Sequence, residues 1–220
     1  MKSKKLKKWT TLLTCATALT VMTACSQSSN QSTGTTSSTT SKTSAVTATT
    51  SKKTNKNSNS NYFTSKDSDT SYNESSATKI KLSGSSADVS GDGAALSGST
   101  VTISKAGTYV ISGKSDGVQI KVDAGDSDDV HIVLDGATMT NTNAAINATK
   151  AGHVYLTLKD GTANTLSDSS SNSDEDADAV IFSKGDLTIN GSGTLNIDAK
   201  KNNGIKANDS LHMTGGTYKI

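Results

Sequence analysis

The acidic side chains between residues 167 and 178 are the first candidates for chemistry, because carboxylates crowded in one polar segment can ligate a metal ion. They are Asp168, Asp174, Glu175, Asp176 and Asp178. Hard oxygen ligands on a loop suit calcium. The spacing of Asp174, Asp176 and Asp178 matches the first three ligands of an EF-hand loop, but the glycine due at the sixth position is Ala179 and no glutamate follows at the twelfth. The segment therefore predicts either a calcium role of another kind or a solvated acidic loop.

Two turn carboxylates offer a second candidate metal site. Asp186 and Asp209 precede Leu187 and Leu211 in equivalent positions of a repeated segment. Neighbouring strands lie about 4.8 Å apart, so two such carboxylates could share a calcium ion. Aspartate also favours turns for conformational reasons, and simple turn chemistry is the alternative.

A set of polar and aromatic residues recurs at the spacing of the repeat and could hold a sugar. If Val130, Val154, Leu187 and Leu211 face inward, the residues that follow them face outward and stack across strands. They are His131, Tyr155, Thr188 and His212, and the next outward positions include Thr157 and Asn190. A flat polar face with one aromatic ring suits carbohydrate, whereas ordinary solvent exposure is the alternative for each residue alone. Three strand spacings separate His131 from His212, which excludes a zinc site that uses both.

One sequence motif suggests a catalytic nucleophile but does not support one. Residues 113–117 read G-x-S-x-G, which in hydrolases joins a strand to a helix. Here residues 118–122 have the alternation of a strand, so the motif predicts a turn. We find no candidate catalytic residue, and we expect a protein that is not an enzyme.

The elements that must position these residues repeat with a period of about 24 residues. Ile181, Leu187, Ile189 and Gly191 recur as Ile205, Leu211, Met213 and Gly215. Apolar and polar residues alternate inside each copy, which indicates strands. A fixed period of this length is typical of a solenoid. The sequence therefore predicts an all-β parallel β-helix of about five coils, with residues 167–178 as an insertion and no polar cap after Ile220, as in a C-terminally truncated domain.

The first 78 residues have a different character. Residues 1–24 carry five lysines followed by a short apolar run, which predicts a signal peptide. Its end, V-M-T-A-C, resembles the bacterial lipoprotein signal, which implies lipidation of Cys25; an ordinary secretory signal is the alternative. Residues 25–78 are rich in Ser, Thr, Asn and Lys and predict a disordered linker. Residues 79–220 form the predicted folded domain.

Charge and composition restrict the partners. Residues 80–220 carry 11 lysines against 17 acidic residues, and the chain has no arginine. An acidic domain without arginine argues against binding to nucleic acid. A polyanionic ligand would need a cation as a bridge. Cys15 lies in the signal peptide, so no disulfide is expected within one mature chain, and we expect a monomer.

Three stretches together resemble a known family. They are residues 107–113 (GTYVISG), 133–136 (VLDG) and 181–195 (IFSKGDLTINGSGTL). They are similar to a family of bacterial cell-surface carbohydrate-binding domains, which implies a right-handed parallel β-helix like that of polysaccharide lyases. The resemblance also implies calcium and plant polysaccharides, such as cellulose and pectic acid, as ligands.

The predicted function is that of a lipid-anchored extracellular protein that binds polysaccharide with the help of calcium. The folded part keeps few aromatic rings, namely Tyr109, Tyr155, Phe182 and Tyr218. Because crystalline cellulose is gripped by rows of rings, this favours an acidic pectic-type glycan over cellulose. A polysaccharide lyase and a structural adhesin that binds a protein partner are the alternatives.

Overall fold

The computed structural model describes residues 62–220. The predicted signal peptide, Cys25 and residues 26–61 of the predicted linker lie outside the described residues. Within residues 62–220, no helix is long and apolar enough to cross a membrane.

The described chain consists almost entirely of strands, which confirms the all-β class. A single 3-10 turn at Ser65–Ser68 precedes sixteen strands. The strands are β1 (Thr78–Gly84), β2 (Ser86–Ser90), β3 (Ala94–Ser97), β4 (Thr100–Ile103), β5 (Gly107–Asp116), β6 (Gln119–Asp123), β7 (Asp129–Thr140), β8 (Ile146–Lys150), β9 (His153–Leu158), β10 (Ala163–Ser167), β11 (Ala179–Ser183), β12 (Asp186–Gly191), β13 (Thr194–Asp198), β14 (Asn203–Ala207), β15 (Leu211–Met213) and β16 (Thr217–Lys219).

The strands form two mixed sheets. The ten-stranded sheet has the order β15-β12-β9-β7-β10-β13-β16, with β1, β2 and β5 joined to it through β7. The six-stranded sheet has the order β14-β11-β8-β6-β4-β3. The β1–β2 and β3–β4 pairs are antiparallel and the remaining pairs are parallel. The prediction of a right-handed parallel β-helix of about five coils is therefore wrong, because the sheets combine both strand directions.

Two glycine turns are the local cause of the antiparallel pairs. Ser83 pairs with Ser86 and Ser97 pairs with Thr100, which leaves a two-residue loop in each case. The loops begin at Gly84 and Gly98, which have φ values of 59° and 60°. Two-residue loops with a residue in the left-handed region reverse the chain into a hairpin. The 24-residue period does not extend to this N-terminal part, so it does not predict the hairpins.

The repeat nevertheless fixes strand pairing in the later part of the chain. Val130 pairs with Val154, Val154 with Leu187, and Leu187 with Leu211, all in parallel. Because a one-residue slip would turn every apolar side chain outward, the alternation of these strands fixes their register. The extra residues 167–178 are accommodated in the connection between β10 and β11.

The interior between the sheets is lined by the inward side chains of these strands. Ile132, Leu134, Leu158 and Ile189 are fully buried in one continuous apolar cluster. Each contributes about 1.5–3 kcal/mol through burial. At the end of β12 the backbone of Gly191, with φ of 97°, approaches the Leu158 carbonyl so closely that a Cβ atom would overlap it. The core therefore sets the positions of the outward side chains of β7, β9, β12 and β15.

Residues 62–78 are folded against the sheet, unlike the disordered linker that the sequence predicts there. Thr64 and Asp67 form a capping box around the 3-10 turn. Asp67 is buried, and Tyr72 packs against Val110 and Val133. The prediction counted apolar residues, whereas this segment is held mainly by polar contacts.

Candidate functional site

The outward residues predicted to align across strands do so. His131 of β7 pairs with Tyr155 of β9, Tyr155 with Thr188 of β12, and Thr188 with His212 of β15. In the adjacent row Thr157 pairs with Asn190. We call this set the polar column, and it includes Thr214, which follows β15. Its members are His131, Tyr155, Thr157, Thr188, Asn190, His212 and Thr214.

The polar column is largely covered rather than solvent-facing. Thr188 is 0% exposed, Asn190 1% and Thr157 3%. The cover is a segment of the chain itself, residues 63–72, which we call the strap. Sequence reasoning placed these side chains on an open face because it assigned the strap to the linker.

The strap contacts residues of β15, β12, β9 and β7. The Phe63 ring lies 5.0 Å from the His212 ring, and Asp67 contacts Thr188. The Lys66 ammonium lies 4.8 Å from the centre of the Tyr155 ring and also forms an ion pair with Asp129. The Tyr72 ring meets the His131 ring edge-on, with 6.0 Å between their centroids. The strap therefore lies along the polar column, which the sequence predicts to bind a glycan.

Asp67 is the centre of these contacts. Its Oδ1 accepts hydrogen bonds from Thr188 Oγ1 at 2.6 Å and from His212 Nδ1 at 3.1 Å. Its Oδ2 accepts bonds from the Thr64 N–H at 2.7 Å and from Thr64 Oγ1 at 2.9 Å. Burial alone would raise the pKa of Asp67, but the bonds from Thr188, Thr64 and His212 outweigh it and hold the pKa far below its ordinary value. The carboxylate is therefore ionised under all ordinary conditions.

Two chains of hydrogen bonds lie behind the strap, and each has a defined direction. The Thr188 hydroxyl donates to Asp67, so His153 Nε2, 2.9 Å away, must donate to Thr188 Oγ1. The Thr157 hydroxyl donates to Asn190 Oδ1 at 2.6 Å, so His131 Nε2, 2.7 Å away, must donate to Thr157. Each chain therefore ends in a hydrogen-bond donor at the outer surface of the column, Thr188 Oγ1 in one and Asn190 Nδ2 in the other.

The two histidines that begin these chains are shifted toward the neutral form. Burial lowers the pKa of His131 and of His153 below the ordinary value, although nearby carboxylates such as Asp69 and Asp186 oppose the shift. A neutral imidazole that donates through Nε2 matches the direction of both chains.

An open pocket lies beside the strap. It has a volume of about 250 Å³ and its charged or aromatic lining is formed by Lys66, Asp69, Asp129, His131 and Tyr155. The His153 ring is stacked on Tyr155 with 4.1 Å between centroids, which holds the tyrosine in place. The pocket combines a cation, carboxylates and a ring, the usual means of fixing a hydroxylated ligand.

Carboxylates of both predicted calcium sites, the acidic loop and the Asp186/Asp209 pair, contact other groups of the protein. Asp178 pairs with Lys206 at 2.6 Å, and Asp186 accepts from the Ser210 N–H at 3.1 Å. Asp174 accepts from the backbone N–H groups of residues 176 and 177. Across residues 62–220, no three His, Cys, Asp or Glu side chains converge as a metal site would require. Asp176 and Asp209 line separate surface pockets, and calcium binding at either predicted site stays a prediction.

The six-stranded sheet carries a second pocket that sequence reasoning did not identify. Asn147 of β8 pairs with Phe182 of β11, and both line a pocket of about 390 Å³ with Asp174 and Asp176. Asn147 Oδ1 is buried and has no hydrogen-bond partner. Phe182 is an aromatic residue inside the repeated segment and could be noticed there. Nothing in the local sequence distinguishes Asn147 from an ordinary strand residue.

Sequence reasoning also missed two residues of the first site, namely Asp67 and His153, whereas it had placed Thr214 among the outward positions. A local signal existed for Asp67, because Thr64-x-x-Asp67 has the spacing of a capping box. His153 lies two positions before Tyr155, so strand alternation places both side chains on the same outward face, and this signal could have identified it.

Comparison with known proteins gives the chain a family. A family model described as carbohydrate-binding domain-containing protein matches residues 97–220. A protein of that name from Acetivibrio thermocellus is 38% identical over 135 residues, which are 59% of this chain and 47% of that protein. The chain thus spans about half the length of this relative.

A solved structure is also similar to this chain. The gadolinium derivative of a polysaccharide lyase-like protein from C. thermocellum is 36% identical to this chain, with a TM-score of 0.62. The likeness covers 64% of this chain and 60% of that one. Since the family model spans more than half of its length, the chain belongs to the family of carbohydrate-binding domain-containing proteins.

Proposed function

We propose that this protein binds polysaccharide without cleaving it, on the face of the ten-stranded sheet that carries the polar column. The observation that carries the proposal is the register of β7, β9, β12 and β15. It places one hydrogen-bonding side chain of each strand in a single row across the sheet. Family membership supports the same ligand class.

The chemistry of this face favours an acidic glycan. Thr188 and His212 already hold a carboxylate, that of Asp67. Aromatic rings near the column are few: Tyr155 is covered by Lys66 and His153, and Phe63 belongs to the strap. Apolar stacking, on which binding to crystalline cellulose depends, therefore has little surface here. A uronic-acid polymer of the pectic type fits the donors better.

The binding experiment uses isothermal titration of the full chain with oligogalacturonate and with a cello-oligosaccharide, each with and without calcium. We expect the acidic ligand to bind more tightly. A chelator that abolishes binding would support the predicted calcium assistance, which would then require ligand oxygens besides the described carboxylates. Absence of binding to both glycans in both conditions would contradict the proposed function.

The site of action proposed here is the outer face of the bacterial membrane. Cys25 would carry the lipid and residues 26–61 would extend the domain away from the bilayer. Mass spectrometry of the protein from a bacterial membrane fraction tests this, because a diacylglycerol adduct on an N-terminal Cys25 is expected. An unmodified cysteine in the processed protein would contradict it.

A polysaccharide lyase is the second candidate, favoured by the likeness to a polysaccharide lyase-like protein. Eliminative cleavage of a uronic-acid polymer creates a conjugated double bond, so the ultraviolet absorbance of a reaction mixture would rise with time. An absorbance that rises in proportion to the protein concentration would show cleavage and would contradict the non-catalytic proposal.

A further inference from the structure

The contacts of Asp67 point to a carboxylate-binding subsite within the polar column. We infer that Thr188, His212, Asn190 and Thr214 form this subsite, that Asp67 occupies it in cis, and that a uronic-acid carboxylate takes the place of Asp67 when the strap leaves. The inference rests on the proposed function and adds to it both the subsite and the competition with the strap.

The sheet contributes only donors to the strap at this point. Thr188 and His212 donate to Asp67 Oδ1. Asn190 Nδ2 donates to the carbonyl oxygens of Asp67 at 3.2 Å and Asp69 at 3.1 Å, and Thr214 Oγ1 donates to that of Asp67 at 2.6 Å. An occupant of this surface must therefore present acceptors, and the position of Oδ1 suits an anion.

Side chains of the sheet itself support the direction of these bonds. With Asp67 bound, His153 donates to Thr188, and Thr157 donates to Asn190 Oδ1. The single hydroxyl proton of Thr188 and the amide protons of Asn190 then face the strap. Thr188 and Asn190 belong to β12 and stay in place when Asp67 departs. Leaving their donors unpaired is costly, so another acceptor is favoured there.

The strap can leave without opening the core. Among residues 62–71, Asp67 is the one buried residue, and Phe63 remains 54% exposed. The second carboxylate oxygen of Asp67 binds only Thr64, which belongs to the strap. The main apolar cluster contains no strap residue, and Tyr72 at the end of the strap packs on a separate small cluster with Val110 and Val133. Release therefore exchanges polar contacts for other polar contacts.

Glu74 provides a charge-matched control for Asp67. It is exposed and lies two residues beyond the strap, away from the polar column and from the pocket beside it. Asp67→Ala and Glu74→Ala remove the same charge, so they alter long-range attraction of an acidic ligand to a similar extent. Only Asp67→Ala empties the subsite.

The test measures the affinity of the full chain for oligogalacturonate by isothermal titration in the wild type and both variants. We expect Asp67→Ala to bind about tenfold more tightly, because the fraction of protein with a free subsite rises, and Glu74→Ala to match the wild type. Adding Thr188→Val to Asp67→Ala should remove the gain. In the wild type, oligogalacturonate should accelerate amide hydrogen exchange in residues 63–72, and a cello-oligosaccharide should not.

The outcomes separate this inference from the proposed function. If the wild type binds glycan but Asp67→Ala binds no better and exchange in the strap is unchanged, the subsite is refuted and the proposed function stands. If neither protein binds any glycan, both are refuted. Equal binding of Asp67→Ala to polyglutamate and to oligogalacturonate would refute a glycan as the occupant. Should Asp67→Ala fail to fold, the exchange measurement on the wild type decides.

Discussion

The two sheets of this protein present polar side chains outward in different ways. On the ten-stranded sheet, Thr157, Thr188 and Asn190 are covered by the strap and their hydrogen bonds are satisfied. On the six-stranded sheet, Asn147 lies beside Phe182 with a buried oxygen that has no partner. The strap thus supplies acceptors to Thr188 and Asn190, whereas no described residue bonds to Asn147 Oδ1. The difference indicates that the column is built to be covered by a polar partner.

Replacing one asparagine on each sheet should give the largest difference in the free energy of unfolding between the two sheets. Asn190→Leu removes two donors to the strap and the acceptor for Thr157, and should lower the free energy of unfolding by about 2–4 kcal/mol. Asn147→Leu removes an unpaired buried oxygen and should change it by less than about 1 kcal/mol, with a gain in stability as the expected sign. Chemical denaturation of both variants measures the difference. Equal losses would show that the two amides have the same role.

A charge substitution in the strap should have the next largest effect. Asp67→Asn keeps the size of the side chain but weakens the bonds from Thr188, His212 and Thr64, so we expect a loss of about 1–2 kcal/mol. Asp176→Asn, an exposed position beside the other pocket, should stay within about 0.5 kcal/mol of the wild type. Thermal unfolding of the pair in the same buffer provides the measurement. A loss at Asp176 as large as that at Asp67 would contradict the central role of Asp67.

The pH dependence of stability should also come from the strap side, because all three histidines lie there. Burial lowers the pKa of His131 and His153, so the unfolded chain takes up protons more readily as the pH falls below about 6.5. The free energy of unfolding should therefore decrease from pH 8 to pH 5. Carboxylates with a lowered pKa, such as Asp67, stabilise the fold above about pH 4 and lose this effect only in stronger acid.

The variant His131→Gln/His153→Gln checks the assignment of that slope. Glutamine keeps a nitrogen donor but does not titrate, so denaturation curves between pH 8 and pH 5 should become flatter. A wild-type protein that gains stability on acidification would contradict the direction derived from the burial of the two rings.

The smallest expected effect concerns two matching ion pairs. Lys66 pairs with Asp129 and lies over Tyr155, whereas Lys206 pairs with Asp178 and lies 5.8 Å from the centre of the Phe182 ring. The Lys206–Asp178 pair is less exposed. We expect Lys66→Ala to cost less than about 1 kcal/mol and to lose its effect in high salt, and Lys206→Ala to cost more and respond less to salt. Denaturation at low and high salt tests the order, and the reverse order would contradict it.

Part of the fold could be predicted because alternation restricts register. The spacing of Val130, Val154, Leu187 and Leu211 reproduces the observed pairing, and with it the alignment of His131 with Tyr155 and Thr188. Each strand buries one face, so only one register keeps its apolar side chains inside. The turns at Gly84 and Gly98 lie outside the period, and the hairpins they form make the sheets mixed.

The strap could not be predicted from the same signals. Asp67 and Thr188 are 121 residues apart in the chain, and their contact leaves no periodic trace. Residues 62–72 share the Ser- and Thr-rich character of residues 26–61 and differ from them in three aromatic and two acidic residues. These few residues do not form an apolar pattern, because docking of the strap uses mainly one carboxylate and backbone carbonyls. The capping-box spacing of Thr64 and Asp67 indicates a local turn, but it does not indicate what the turn binds.

The most direct test of the account is amide chemical-shift mapping of the isotope-labelled full chain during titration with oligogalacturonate. The account predicts that shifts concentrate in β9 and β12, around residues 155–157 and 188–190, and in strap residues 63–72. Shifts confined to β8 and β11, around Asn147 and Phe182, would contradict it and would place the glycan on the six-stranded sheet.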